Sequence, residues 1–260
     1  MNGKGSQLFN PPNTKLLYQE VIASIFQAIL DGKLKPGERL LEETIARELG
    51  ISRSPVRQAL QDMERQGIVI IVPRKSVYVA NWSIADIEDF IQVRILLEVQ
   101  AAEQASTRIT AQEIAALQTI VDDMVAAAIK QDVNYEIDRD LAFHKQVVGA
   151  TRNSTLIRVY STIELRIHLF MIYEKYIDPA LQQRLKLIEE HGLIVAALQA
   201  HDASLAGNLI GGNVHKAAES LLERMRGHEL SVGDWREMLH TKGAYHENET
   251  ERRNNPQYVK

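Results

Sequence analysis

At 260 residues, with 45% hydrophobic and 25% charged side chains, the chain can bury two separate cores and has none of the bias of disordered or fibrous sequences. The absence of cysteine excludes disulfides and thiolate metal sites, so that any metal must be held by His, Asp or Glu. A net charge of −4 excludes a protein that is basic throughout, yet residues 1–80 carry 11 Lys/Arg against 8 Asp/Glu while residues 81–230 carry 14 against 21. A mildly basic head on an acidic body suits local contact with phosphates. The opening MNGKGSQLFNPPNTK lacks the apolar segment of a signal peptide, and no apolar run of about 18 residues suggests a membrane span. The expectation is a cytoplasmic protein with no membrane partner.

Residues 1–14 read as an N-terminal arm. In residues 17–31, Val21, Ile22, Ile25, Ile29 and Leu30 recur at helical spacing, and Gly32 with the turn pair Pro36-Gly37 ends the run. A short second helix over 42–49 turns Ile45, Ala46 and Leu49 inward, and Gly50 supplies a tight turn. Ser52 is placed to cap a third helix with Pro55 in its first turn and with Val56, Leu60 and Met63 buried, running to about Gly67. The β-rich runs Ile68–Val72 and Val77–Ala80 then read as a hairpin. Three helices followed by a hairpin predict a winged helix-turn-helix over 15–80.

From Ser83 the periodicity is helical, with predicted helices at 84–105, 111–130, 135–149, 154–176, 180–200 and 203–227. The fold class is therefore mainly α: a winged helix-turn-helix followed by an all-α six-helix bundle over 84–228. Residues 229–260 lose their periodicity and are expected to form a largely disordered polar tail.

Arg53 and Arg57 stand four residues apart on the third helix, opposite Val56, Leu60 and Met63. The N-terminal part of a recognition helix meets base edges in the major groove, where Arg grips guanine O6 and N7 with two hydrogen bonds. Ser52, Ser54 and Gln58 add candidate phosphate or base contacts, and Arg74 and Lys75 at the hairpin tip could reach a neighbouring backbone. Two arginines on a helix are by themselves an ordinary solvated face. The preceding short helix, Gly turn, Ser cap and following hairpin favour a DNA reader.

The segments LEETIARELG and ISRSPVRQAL resemble the helix-turn-helix of the GntR family of bacterial regulators, over residues 15–80. The resemblance implies DNA contacts on the second and third helices and the wing, which here are Ser52, Arg53, Ser54 and Arg57, with Arg74 and Lys75 on the wing. Ser76 stands where members commonly carry Gly at the wing tip.

In the second domain, Asp140 and His144 lie one turn apart beside Ile137, Leu141 and Val148, and His191 shares a face with Leu187, Ile194 and Leu198. His215 follows Gly211 and Gly212 near the face of Ala218 and Leu222. One Asp and three His suit a divalent transition metal such as zinc, nickel or manganese with coordination positions left open. Core-facing histidines are also common as hydrogen-bonded structural residues, and the residues alone leave both readings open. Arg94 and Arg166 are candidate clamps for an effector carboxylate, with an internal ion pair to Glu98 as the alternative for Arg94.

Residues 84–228 resemble the FadR-type C-terminal (FCD) ligand-binding domain of one GntR subfamily, through VRILLEVQAAEQAS, the run Asp140–His144, the run Glu190–Ile194 and the late His215. Six helices rather than seven place it nearer the VanR-type branch. The resemblance implies a metal held by Asp140, His144, His191 and His215, and a small organic acid bound beside it. The reading is a homodimeric regulator of a near-palindromic operator, with repression as the expected mode. The rivals are a metal-dependent hydrolase using the Asp/His site and an architectural DNA-binding protein without an effector.

Overall fold

The computed structural model describes residues 14–73, 76–177 and 181–227. The chain divides into two compact units, residues 1–80 and 81–260.

The first unit contains α1 (Thr14–Leu30), β1 (Arg39–Leu40), α2 (Glu42–Glu48), α3 (Arg53–Arg65), β2 (Val69–Val72) and β3 (Ser76–Val79). Its core joins Val21, Ile25 and Ile29 of α1 to Val56, Ala59, Leu60 and Met63 of α3, to Ile68 just before β2 and to Val69 and Val79 of the sheet. The α2–α3 turn follows from one residue. Gly50 adopts φ +65°, a conformation that costs glycine little. It lets Gly50 N–H donate to Arg47 O at 3.3 Å and Ile51 N–H to Ala46 O at 2.9 Å, the paired bonds of a Schellman end. The helix is thus stopped and α3 redirected within four residues.

The sheet has three antiparallel strands in the order β1-β3-β2, where the sequence suggested a two-stranded hairpin. Arg39 pairs with Tyr78 and Leu40 with Val77. A two-residue strand has no periodicity to read, and β1 exists because β3 offers it a partner edge. Ser52 occupies the N-cap position of α3, but its hydroxyl makes no capping hydrogen bond and remains exposed. The expected contacts of Arg74 and Lys75 lie outside the described residues, as do the arm over 1–13 and the tail over 229–260. Ser76 opens β3, and its hydroxyl accepts from Nε of Arg39, so this departure from Gly ties the wing to β1.

The second unit contains α4 (Ile84–Ser106), α5 (Ala111–Lys130), α6 (Val133–Ala150), α7 (Ser154–Ser161), α8 (Glu164–Ile177), α9 (Leu181–Gln199) and α10 (Ala203–Gly227). Capping boxes start α4 and α5: Ser83 with Asp86, and Thr110 with Glu113. Leu117, Met124, Phe143, Val147, Ile188, Ile194, Leu198 and Ile210 form the centre of the core. Helices α4 and α10 approach closely at Gly211, where an added Cβ would stand 2.8 Å from Cγ2 of Val99, whereas Gly212 faces open space.

The run expected as one helix over 154–176 is two, giving seven helices among the described residues of the second unit where the sequence suggested six. Ser161 Oγ and Thr162 Oγ1 donate to the carbonyls of Arg158 and Val159, each at 2.7 Å. Consecutive hydroxyls that bond back to the preceding turn compete with the helical ladder, and the axis breaks at Thr162. The helix count therefore no longer argues for the VanR-type branch.

Candidate functional site

On the first unit, Ser52, Arg53, Ser54, Arg57 and Gln58 are all exposed, while Val56, Ala59 and Leu60 turn inward. The sequence reading missed two acidic partners. Nη2 of Arg53 lies 2.7 Å from Oε2 of Glu43, and Arg57 grips Glu42 through Nε and Nη2 at 3.0 and 2.8 Å. The hydrogen bond and charge of Arg57 hold the Glu42 carboxyl below its ordinary range. Both arginines therefore project from α3 while paired with α2, Arg57 through one edge of its guanidinium and Arg53 through a single nitrogen.

On the second unit, α6 and α9 face each other along a buried polar seam. Residues 136, 140 and 144 recur every fourth position on α6, and 184 and 191 share a face of α9. Glu136 and Arg184, both buried, pair at one end, with Oε2 2.5 Å from Nη2. One and two turns along, ligating atoms of Asp140, His144 and His191 lie within 4.8 Å of one another. Oδ1 of Asp140 is 3.3 Å from Nε2 of His144 and 3.3 Å from Nε2 of His191. The Phe143 ring meets both imidazoles edge-on, with centroids 5.7 Å from His144 and 4.7 Å from His191, and so limits their rotation.

The outer nitrogens of the two rings are also occupied. Nδ1 of His191 lies 2.9 Å from the Leu187 carbonyl, which accepts the ring proton and leaves a lone pair on Nε2. Nε2 itself is buried without a hydrogen-bond partner. Nδ1 of His144 lies 2.5 Å from Oε2 of Glu98, a close charge contact rather than an aligned hydrogen bond. The other Glu98 oxygen accepts from Nε of Arg94 at 2.8 Å and from the Tyr160 hydroxyl at 3.0 Å. Glu98 is fully buried. Burial pushes its carboxyl up, but Arg94 and then His144 outweigh burial and bring it down to about 2. Burial likewise favours neutral His144, yet the carboxylates of Glu98 and Asp140 prevail and raise it above its ordinary value. Burial and the Glu98 charge raise Tyr160 far enough to keep it a phenol donor.

Three of the four expected ligands thus converge, and His215 does not. It is exposed, its Nε2 lies 3.2 Å from Glu219, and it lines a groove with Ile91, Ile95, Ala218 and Leu222. The inward positions of α10 are Ala206, Ile210, Asn213 and Val214, and His215 falls about 200° around the helix from Asn213. Asn213 is buried, and its amide donates to the Leu187 carbonyl at 3.3 Å, the acceptor that also serves His191. Arg166 is not part of the cluster either. Its guanidinium lies 4.9 Å above the Phe90 ring, and burial lowers its pKa. Phe90 precedes Glu98 by eight residues, about 12 Å along α4. Arg94 is buried and forms the internal pair with Glu98; among the described residues that pair uses only its Nε as a hydrogen-bond donor.

The donor set suits a divalent cation. Atoms held by one ion through bonds of about 2.1 Å stand roughly 3.0–3.4 Å apart, and Asp140 stands 3.3 Å from each imidazole. Two imidazoles with their second nitrogens against acceptors, together with one carboxylate, make a borderline-soft set of three donors.

Residues 17–79 match the family described as bacterial regulatory proteins, gntR family, and residues 89–215 match the FCD domain. The chain is 34% identical over 129 residues to an HTH-type transcriptional regulator encoded in the TAR-I ttuE-ttuC' intergenic region of Agrobacterium vitis, covering 48% of this chain and 75% of that protein. It is 28% identical to the Nta operon transcriptional regulator of Aminobacter aminovorans, covering 74% of this chain and 89% of that protein. Its fold is similar to that of E. coli McbR/YncC, with a TM-score of 0.68 at 23% identity over 80% of this chain and 98% of the other. Among the described residues no helix is long and apolar enough to cross a membrane. With a winged helix that presents arginines, an all-α domain following it in the chain and these relatives, the chain belongs to the GntR family of DNA-binding transcriptional regulators and carries an FCD domain.

Proposed function

We propose that this regulator is switched by a small organic acid bound beside a divalent cation in its second unit. The observation that carries the reading is the buried Asp140, His144 and His191 cluster with the Arg94 guanidinium one residue removed through Glu98. Asp140, His144 and His191 would hold the cation, which supplies a Lewis-acidic point for a carboxylate. Arg94 orients that carboxylate with the edge of its guanidinium not used by Glu98. With two carboxylates, one guanidinium and a divalent ion, the site carries a net positive charge when the histidines are neutral, which favours an anionic ligand.

On the first unit, Ser52, Arg53, Ser54, Arg57 and Gln58 read the operator, with Arg74 and Lys75 of the wing on the neighbouring backbone. The protein works as a homodimer on a near-palindromic site, since two-fold assemblies match two-fold operators. Repression is the proposed mode. The effector can shift DNA affinity only by its differential affinity for two arrangements of the protein.

The test is the retention of genomic fragments by the purified protein at moderate salt, before and after removal of metal with a chelator. Moderate salt matters because phosphate contacts alone bind any duplex when salt is low. A few retained fragments sharing an inverted repeat, with retention changed by chelation, are expected. Unselective retention sinks the operator reading. Selective retention indifferent to metal and to carboxylic acids leaves an architectural DNA-binding protein.

A further inference from the structure

We propose that Glu98 is the positioning residue of this cation site, the group that holds the His144 ring with Nε2 turned toward Asp140 and His191. The inference deepens the proposed function and rests on its cation reading. The sequence marks Glu98 only as one residue of VRILLEVQAAEQAS, and its contact with the histidine emerges where three helices meet. It lies on α4, the histidine on α6, and the groups that fix the carboxylate itself are Arg94 on α4 and Tyr160 on α7.

The geometry works in two stages. Oε1 of Glu98 takes two donors, Arg94 Nε at 2.8 Å and Tyr160 Oη at 3.0 Å, so the carboxylate cannot swing. Oε2, thereby fixed, stands 2.5 Å from Nδ1 of His144 as a close charge contact, and its negative charge favours the ring proton on that nitrogen. A proton at Nδ1 leaves the lone pair of a neutral ring on Nε2, on the Asp140 side. A carboxylate behind a ligating imidazole also raises its basicity, and loss of such a partner lowers cation affinity 10- to 100-fold. His191 has only a neutral carbonyl behind it, at Leu187. The two rings are therefore unequal, and His144 is the one whose donor strength depends on a charge.

The test uses the full chain stripped of metal, with Zn2+ and Co2+ titrated against a competing chelator and folding checked by thermal melting. Glu98→Gln keeps the size and an acceptor oxygen but removes the charge. It is expected to weaken binding of both ions 10- to 100-fold and to alter the visible absorption of the Co2+ form, which a purely structural role would leave unchanged. Affinity within threefold of wild type in folded Glu98→Gln overturns the proposal. If that variant does not fold, Glu98→Asp decides: it keeps the charge but withdraws it from Nδ1, and wild-type affinity there also overturns the proposal. A wild-type chain that binds neither ion overturns the cation reading itself, whereas a wild type that loses binding only on Asp140→Ala or His144→Ala, with Glu98→Gln unaffected, overturns the role of Glu98 alone.

Discussion

Replacing Arg94 by Met separates a structural guanidinium from one that only meets a ligand. Glu98 is fully buried, and Arg94 is the nearest full positive charge, 2.8 Å away through Nε. Its removal leaves a carboxylate in the core with Tyr160 and His144, and His144 must then stay protonated to balance it. Breaking a buried pair from one side costs about 3–5 kcal/mol because the remaining charge is uncompensated. For a domain of this size each kcal/mol moves Tm by roughly 2–4 °C, so the drop is about 6–20 °C. Scanning calorimetry of the full chain assigns the shift to the transition of the second unit, since two domains need not melt together. The double variant Arg94→Met/Glu98→Gln should recover part of the loss, because it no longer strands a charge. A Tm within about 2 °C of wild type for Arg94→Met, or no recovery in the double variant, refutes the account of Glu98 as a charge held by Arg94.

The exposed His215 can be replaced by Ala with no change in Zn2+ affinity, whereas Asp140→Ala or His191→Ala should reduce it beyond detection in the same chelator competition. Arg57→Ala should weaken operator binding by about 1–3 kcal/mol if the side chain grips a guanine, while loss of a single phosphate contact lowers the salt slope by about one; titrations at several salt concentrations distinguish the two. The Glu98 carboxyl sits at about 2 in the fold against an ordinary 4.5, so its contribution is complete above pH 4.5 and is lost as pH falls toward 2. Metal-free wild type should therefore lose Tm across that window more steeply than Glu98→Gln, and parallel curves would contradict it. Gly50→Ala must place a side chain at φ +65° and should cost about 1 kcal/mol or more, read from urea melts of the first unit's transition.

The fold was legible wherever one periodicity ran long enough. Val56, Leu60 and Met63 mark the buried face of α3, and Gly50 marks the turn before it, because both signals are local. Strand β1 was not legible, since Arg39 and Leu40 form a strand only against Tyr78 and Val77. The break at Thr162 was masked because Ser161 and Thr162 tolerate a helix and act against it only through their hydroxyls. In the candidate site, Asp140, His144 and His191 were visible as polar residues on apolar faces. His215 misled because Ala218 and Leu222, on the same stripe, are buried toward α4 while the centre of the bundle lies on the Asn213 side. The spacing within α4 offers Glu98 only as a partner for Arg94, and its contact with His144 depends on how α4 packs against α6.

Because Glu42 and Glu43 pair with Arg57 and Arg53, α3, in its proposed role as recognition helix, would meet a duplex with its two guanidinia engaged. A stretch of backbone that offers charge alone exchanges one exposed ion pair for another, and such pairs differ by no more than about 1 kcal/mol. A guanine edge offers two directed bonds to the same group and repays the exchange. On the proposed DNA contacts of Arg53 and Arg57, the carboxylates of α2 would discount the wrong sequence more than the right one and would give the protein a reason to leave most of the genome quickly.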